Sequence, residues 1–85
     1  MDNKLKEFLM DNGCLLADGY DDALVGTALR EGEIVSVYSI EKCIEILMKD
    51  GMDYKEAKEF FYLNTHDAYV GNKTPMYINT HNEGE

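Results

Sequence analysis

The stretch that most limits how this chain can fold is SIEKCIEILMKDGMDYKEAKEFFYLN, residues 39 to 64. It spells two amphipathic helices with a stop between them. Ile40, Cys43, Ile44 and Leu47 recur at helical spacing behind Ser39, whose hydroxyl suits a helix N-terminus. Asp50-Gly51 ends that helix. Asp53 and Glu56 then stand as N-cap and N3 of the next, a carboxylate version of the capping box, with Met52 and Ala57 as a weak hydrophobic staple. In the second helix Tyr54, Ala57, Phe60 and Phe61 form one stripe, and Asn64 continues it. Only about three residues separate the helices, so they fold back on each other as a tight hairpin. A hairpin with two apolar stripes needs a flat surface to cover.

The remaining segments supply one. ALVGTAL and IVSVYS are β-prone runs joined by REGE, where Gly32 can take positive φ, and they read as an antiparallel hairpin. In the second run Ile34, Ser36 and Tyr38 share one face, and Val35 and Val37 share the other. Neither face is polar, so this strand is expected to lie under helices on one side and a partner on the other. Gly26 predicts a bulge or a close approach of another backbone. MYI is a short last strand beside the hairpin. Ahead of all this, Leu5, Phe8 and Leu9 mark a short helix stopped by Gly13. The order is α-β-β-α-α-β. The expected class is α+β: a small, mainly antiparallel three-stranded sheet packed by a helical hairpin. Residues 1–78 form a single domain and 79–85 a polar C-terminal tail.

Length and charge narrow the function classes. The 85 residues hold one small core, which oligomerisation would help. Seventeen acids against eight bases give a net charge of -9, so a basic face for nucleic acid is not expected, while basic protein partners are attracted. A hydrophobic content of 45% argues against disorder. Cys14 and Cys43 are far apart without metal-ligand spacing. Cys43 falls on an apolar helix face as a small buried hydrophobe, and a disulfide between the two stays open. The N-terminus has no signal-peptide or membrane-span pattern, which makes the cytoplasm the default location.

Three aspartates and a tyrosine crowd DGYDDALVG, residues 18–26. The stretch lacks the glycine and distal glutamate of a calcium loop. It lacks the lysine or glycine-rich loop that accompanies magnesium-phosphate chemistry. A turn before a strand is the plain reading. Residues 11 to 33 hold six acids (Asp11, Asp18, Asp21, Asp22, Glu31, Glu33) and one base, Arg30, a net -5 concentrated in the hairpin region. His66 and His81 have no His or Cys at ligand spacing, so no metal site is expected. In NTHDAYVGNKTP, Asn64 sits where an apolar residue would continue the stripe. It is expected either to close the helix end while Tyr69 and Val70 pack back, or to line a cleft.

Taken together, DGYDDALVG, VYSIEKCIEILMKDGMDYKEAKEFF and AYVGNKTPMYI resemble a group of small uncharacterised proteins encoded by bacteriophages and prophages. The resemblance spans roughly residues 16 to 78. It implies a phage-type setting and brings no established activity with it. It directs attention to Asp18, Gly26, Tyr38, Gly51, Asn64, Tyr69, Gly71 and Pro75.

The expected function is a non-enzymatic accessory protein that binds and modulates or inhibits a host or phage protein. The docking surface would comprise Asp18, Tyr20, Asp21, Asp22, Asn64, Tyr69 and Gly71. The carboxylates would steer a basic or nucleic-acid-binding partner, in the strongest form by imitating DNA phosphates. No cofactor, metal or membrane is expected. A small homo-oligomeric structural or regulatory module is the alternative. An enzyme ranks behind both, because no nucleophile, base and oxyanion set converges.

Overall fold

A computed structural model describes residues 3–66, 71 and 73–80, the side chains of Asn3, Thr65 and His66 excepted. Its elements are α1 (Asn3–Asp11), β1 (Leu24–Arg30), β2 (Glu33–Ser39), α2 (Ile40–Lys49), α3 (Tyr54–Phe61) and β3 (Met76–Ile78). The α-β-β-α-α-β order is the one read from the sequence. The sheet is ordered β1-β2-β3, so the most apolar strand lies in the middle.

β1 and β2 pair antiparallel from Leu24 opposite Tyr38 to Arg30 opposite Glu33, with a register slip between Leu24 and Gly26. The slip is the bulge expected at Gly26. A Cβ built there meets nothing within 4 Å, so no other backbone approaches closely. The hairpin closes through Glu31 (φ 52) and Gly32 (φ 81), both left-handed, as a two-residue turn between twisted strands requires.

β3 runs parallel to β2, with Val37 beside Met76 and Ser39 beside Ile78. The sheet is therefore mixed rather than purely antiparallel, with the longer β1–β2 pairing antiparallel and the short β2–β3 pairing parallel. The connection allows it: α2, α3 and the segment to Met76 separate β2 from β3, and a parallel pair needs a crossover of a dozen or more residues, usually helical.

Burial on β2 differs from expectation. Tyr38 and Ser36 face the helices and are fully buried; on the opposite face Val35 is 0% and Val37 5% exposed. Both faces of β2 are covered within the single chain, and no partner is needed there. Part of that cover follows from one hydrogen bond. Arg30 Nη1 donates to the carbonyl of Thr74 at 2.6 Å, two residues before β3, so the Arg30 stem crosses β2 on the Val35 side.

Segment 14–17 is laced onto the helix-side face. Cys14 Sγ donates to Ile34 O (3.1 Å), Ser36 Oγ to Leu15 O (2.8 Å), and the Ala17 N–H to the Tyr38 hydroxyl (2.8 Å). Both cysteines are buried free thiols.

The helices begin and end as their sequences prescribe. Ser39 Oγ accepts the Lys42 N–H, and Asp53 and Glu56 form the full capping box. α1 and α2 stop by the same device. Cys14 N–H reaches Leu9 O and Gly13 N–H reaches Met10 O, and Met52 and Gly51 repeat the pattern on Leu47 and Met48. The core joins Tyr20, Tyr38, Cys43, Ile44, Leu47 and Phe61. Phe61 meets Tyr20, Tyr62 and Tyr77 edge-on, with ring centroids 5.2–6.4 Å apart. The stripe on α3 is narrower than the sequence suggests: Ala57 and Phe61 are buried, while Tyr54 and Phe60 are 56% and 41% exposed. No described helix is long and apolar enough to cross a membrane.

The residues assigned to a polar tail begin anchored. The Thr80 N–H donates to Glu41 Oε1 at 2.6 Å, and the Thr80 hydroxyl bonds Ser39 Oγ. Residues 81–85 lie outside the described part.

Candidate functional site

DGYDDA folds as two successive tight turns. Tyr20 N–H donates to Ala17 O, then Ala23 N–H to Tyr20 O, the second closing a 3-10 turn over Asp21–Ala23. The alternation sorts the side chains. Tyr20 and Ala23 turn inward, 8% and 0% exposed, while Asp18 and Asp22 stay in solvent. Asp21 is bound to Lys6 Nζ at 2.6 Å, a contact that ties α1 to the turn. That hydrogen bond, with the attraction of the carboxylate, raises the Lys6 ammonium above its ordinary value.

At the other end of the pattern, α3 continues into one π-helical turn, Tyr62–His66. Asn64 is exposed, not buried in the stripe, and its Nδ2 donates to Phe60 O at 3.2 Å. It thus holds a last-turn carbonyl of the helix.

These two regions meet. Asp18, Tyr20 and Asn64 line one hollow of about 350 Å³, with Asp50 at its rim and Ile46, Leu47 and Phe60 as apolar walls. The hollow is built where the acidic turn packs against α2 and the end of α3. Its described lining holds two carboxylates, a phenol and an amide, and no amine, thiol or imidazole. Such a lining suits a cation carried on an apolar stem. Among the described residues no three His, Cys, Asp or Glu side chains stand close enough to hold a metal ion.

The other expected positions divide. Asp22 is exposed beside the hollow but does not line it, and Asp21 is engaged by Lys6. Gly71 sits elsewhere. Its carbonyl accepts from Thr74 N and Oγ, and Thr74 in turn holds Arg30, which places Gly71 near the turn end of the β-hairpin. Tyr69 lies outside the described residues, as do Val70, His81 and the His66 side chain.

The acids of residues 11–33 do not form one patch. β1 separates Asp18, Asp21 and Asp22 from Glu31 and Glu33, and seven strand residues span about 20 Å. Glu33 is also paired, with Lys73 at 3.1 Å.

Asp50 and Ile46 were not singled out in the sequence. The signal for Asp50 was its place at the C-terminus of α2, and for Ile46 its place one residue off the core stripe. A second hollow was missed altogether. It is a groove of about 680 Å³ between α2 and α3, floored by Ile40, Ile44, Met48, Tyr54 and Tyr62. Three titratable groups in or against the core are shifted by burial. Burial pushes the Cys43 thiol and the Tyr77 phenol up to about 12. Burial also raises Tyr38, opposed in part by the Ala17 N–H. All three stay neutral at ordinary pH, and the thiol is inert as a nucleophile.

The chain matches no protein-family model, no curated protein and no solved structure.

Proposed function

We propose that this is a non-enzymatic accessory protein of the phage-encoded kind its motifs resemble. It binds another protein in the host cytoplasm and modulates or inhibits it, taking a basic side chain of that partner into the hollow between the acidic turn and the end of α3. The supporting observation is that the acidic turn, through Asp18 and Tyr20, and the far-off Asn64 line one hollow with Asp50, with no base among its described lining residues. An arginine or lysine would lay its stem on Ile46 and Phe60 and its charge between the carboxylates. The hollow lies at the small end of ligand pockets, the size for one side chain rather than a free metabolite. The surplus negative charge of the chain would speed the approach of a basic surface.

Capture from bacterial lysate, followed by mass spectrometry and titration of the captured partner, tests this. Asp18→Asn with Asp50→Asn is expected to weaken binding by about tenfold or more, and Asp21→Asn to have a smaller effect because Lys6 holds that carboxylate. Unchanged affinity in the Asp18/Asp50 double variant would overturn the reading. The extended version, acids imitating a row of phosphates, has its own signature: affinity falling steeply with salt and spread evenly over Asp22, Glu31 and Asp18.

A further inference from the structure

We propose that the groove between α2 and α3 is where two copies of this chain meet, forming a reversible two-fold dimer. This does not rest on the acidic hollow, which lies on another side of α2. Three observations carry it.

The first is exposed apolar surface. Met48 is 40%, Tyr54 56% and Leu63 76% exposed, and they border adjoining hollows that share Lys58 and Tyr62. Exposed apolar side chains gathered in this way on a small domain mark an interaction surface.

The second is charge, and it selects the occupant. The α2 rim carries Glu45, with Glu41 beside it already held by Thr80, while the α3 rim carries Lys55 and Lys58 along with Glu59. A two-fold axis through the groove lays α2 of one copy on α3 of the other, so each acidic rim faces a basic one. The surface is complementary to itself. It also gathers two of the eight bases of a chain with net charge -9, so here two copies approach with little like-charge repulsion. The chain's own acidic C-terminal end, Glu83 and Glu85, is a poorer match for a groove whose α2 side is acidic.

The third is the covered sheet. Val35 and Val37 are already buried inside one chain, so the central strand offers no apolar face for association. The area is modest, which sets the expected dissociation constant on the order of 10–100 µM rather than nanomolar.

Sedimentation equilibrium from micromolar to near-millimolar protein is the test. The mass is expected to rise from 9.7 kDa toward twice that value with concentration. Met48→Glu with Leu63→Glu, both at exposed positions, should abolish the rise while circular dichroism stays native. Glu45→Lys and Lys58→Glu should each weaken association about tenfold, and the two together should restore it. A monomer at the highest concentration overturns the proposal and leaves the groove to a foreign segment. A dimer that survives Met48→Glu with Leu63→Glu, or that is lost instead in Leu29→Glu on the outer strand, overturns it equally.

Discussion

Phe60 and Phe61 are adjacent in sequence and opposite in environment. A helix turns about 100° per residue, so only one of two neighbours can point into the core. Phe61 holds that place, fully buried among Tyr20, Tyr62 and Tyr77, while Phe60 walls the acidic hollow. The sequence showed the stripe but not which edge of it was buried, because Tyr54, Ala57, Phe60 and Phe61 fit it equally on paper. The consequence is measurable by urea unfolding. Phe61→Ala is expected to cost about 3–5 kcal/mol, and Phe60→Ala under about 1 kcal/mol. Cys43 illustrates a buried position that could be read correctly, since its helical spacing among isoleucines left little choice. Its thiol has an ordinary value of 9.0 and stands at about 12 in the fold, and Tyr77 moves from 10.0 to about 12. Both are raised because the buried neutral form is favoured. Their stabilising contribution is full below pH 9 and is lost progressively as pH climbs toward 12. Unfolding midpoints should therefore fall between pH 9 and 12, and Cys43→Ala should flatten the onset of that fall.

Elements whose signals are local were legible. The capping box at Asp53 and Glu56 needs only four consecutive residues, and it forms as read. Asp53→Ala is expected to lower stability by about 1 kcal/mol, and adding Glu56→Ala should cost less than the sum of the two, since the side chains bond reciprocally. The hairpin turn was also found, but not the strain in it. Glu31 occupies a left-handed position that favours asparagine in this kind of turn. Glu31→Asn is expected to stabilise by about 0.5 kcal/mol in the same urea assay. The direction of β3 was not legible. Three residues carry no signal for parallel or antiparallel pairing, and the answer depends on how far the chain travels after α3. The hollow was half legible for a similar reason. Asp18, Tyr20 and Asn64 stood out by type, but Asp50 joined them only through the packing of the turn on α2.

At the scale of the whole molecule, α2 serves two surfaces. Ile46, Leu47 and Asp50 belong to the acidic hollow, and Ile40, Ile44 and Met48 to the groove. If both proposals hold, they separate cleanly. Asp18→Asn with Asp50→Asn should leave the concentration dependence of mass unchanged, and Met48→Glu should leave partner affinity within about twofold, because the two surfaces lie on different sides of α2 and share no lining residue. The uneven charge of the sequence became something different in space. Its acids are spread along the hairpin, with Asp21 and Glu33 neutralised by Lys6 and Lys73.

Ser39 ends β2, caps α2 and grips Thr80, with no residue between strand and helix. That junction has no slack. Foreign sequence spliced between Ser39 and Ile40 would uncouple the cap from its helix and separate the layers, so such insertions should yield degraded protein. The same insert at Glu31-Gly32, where the chain only reverses in solvent, should leave a folded, protease-resistant body.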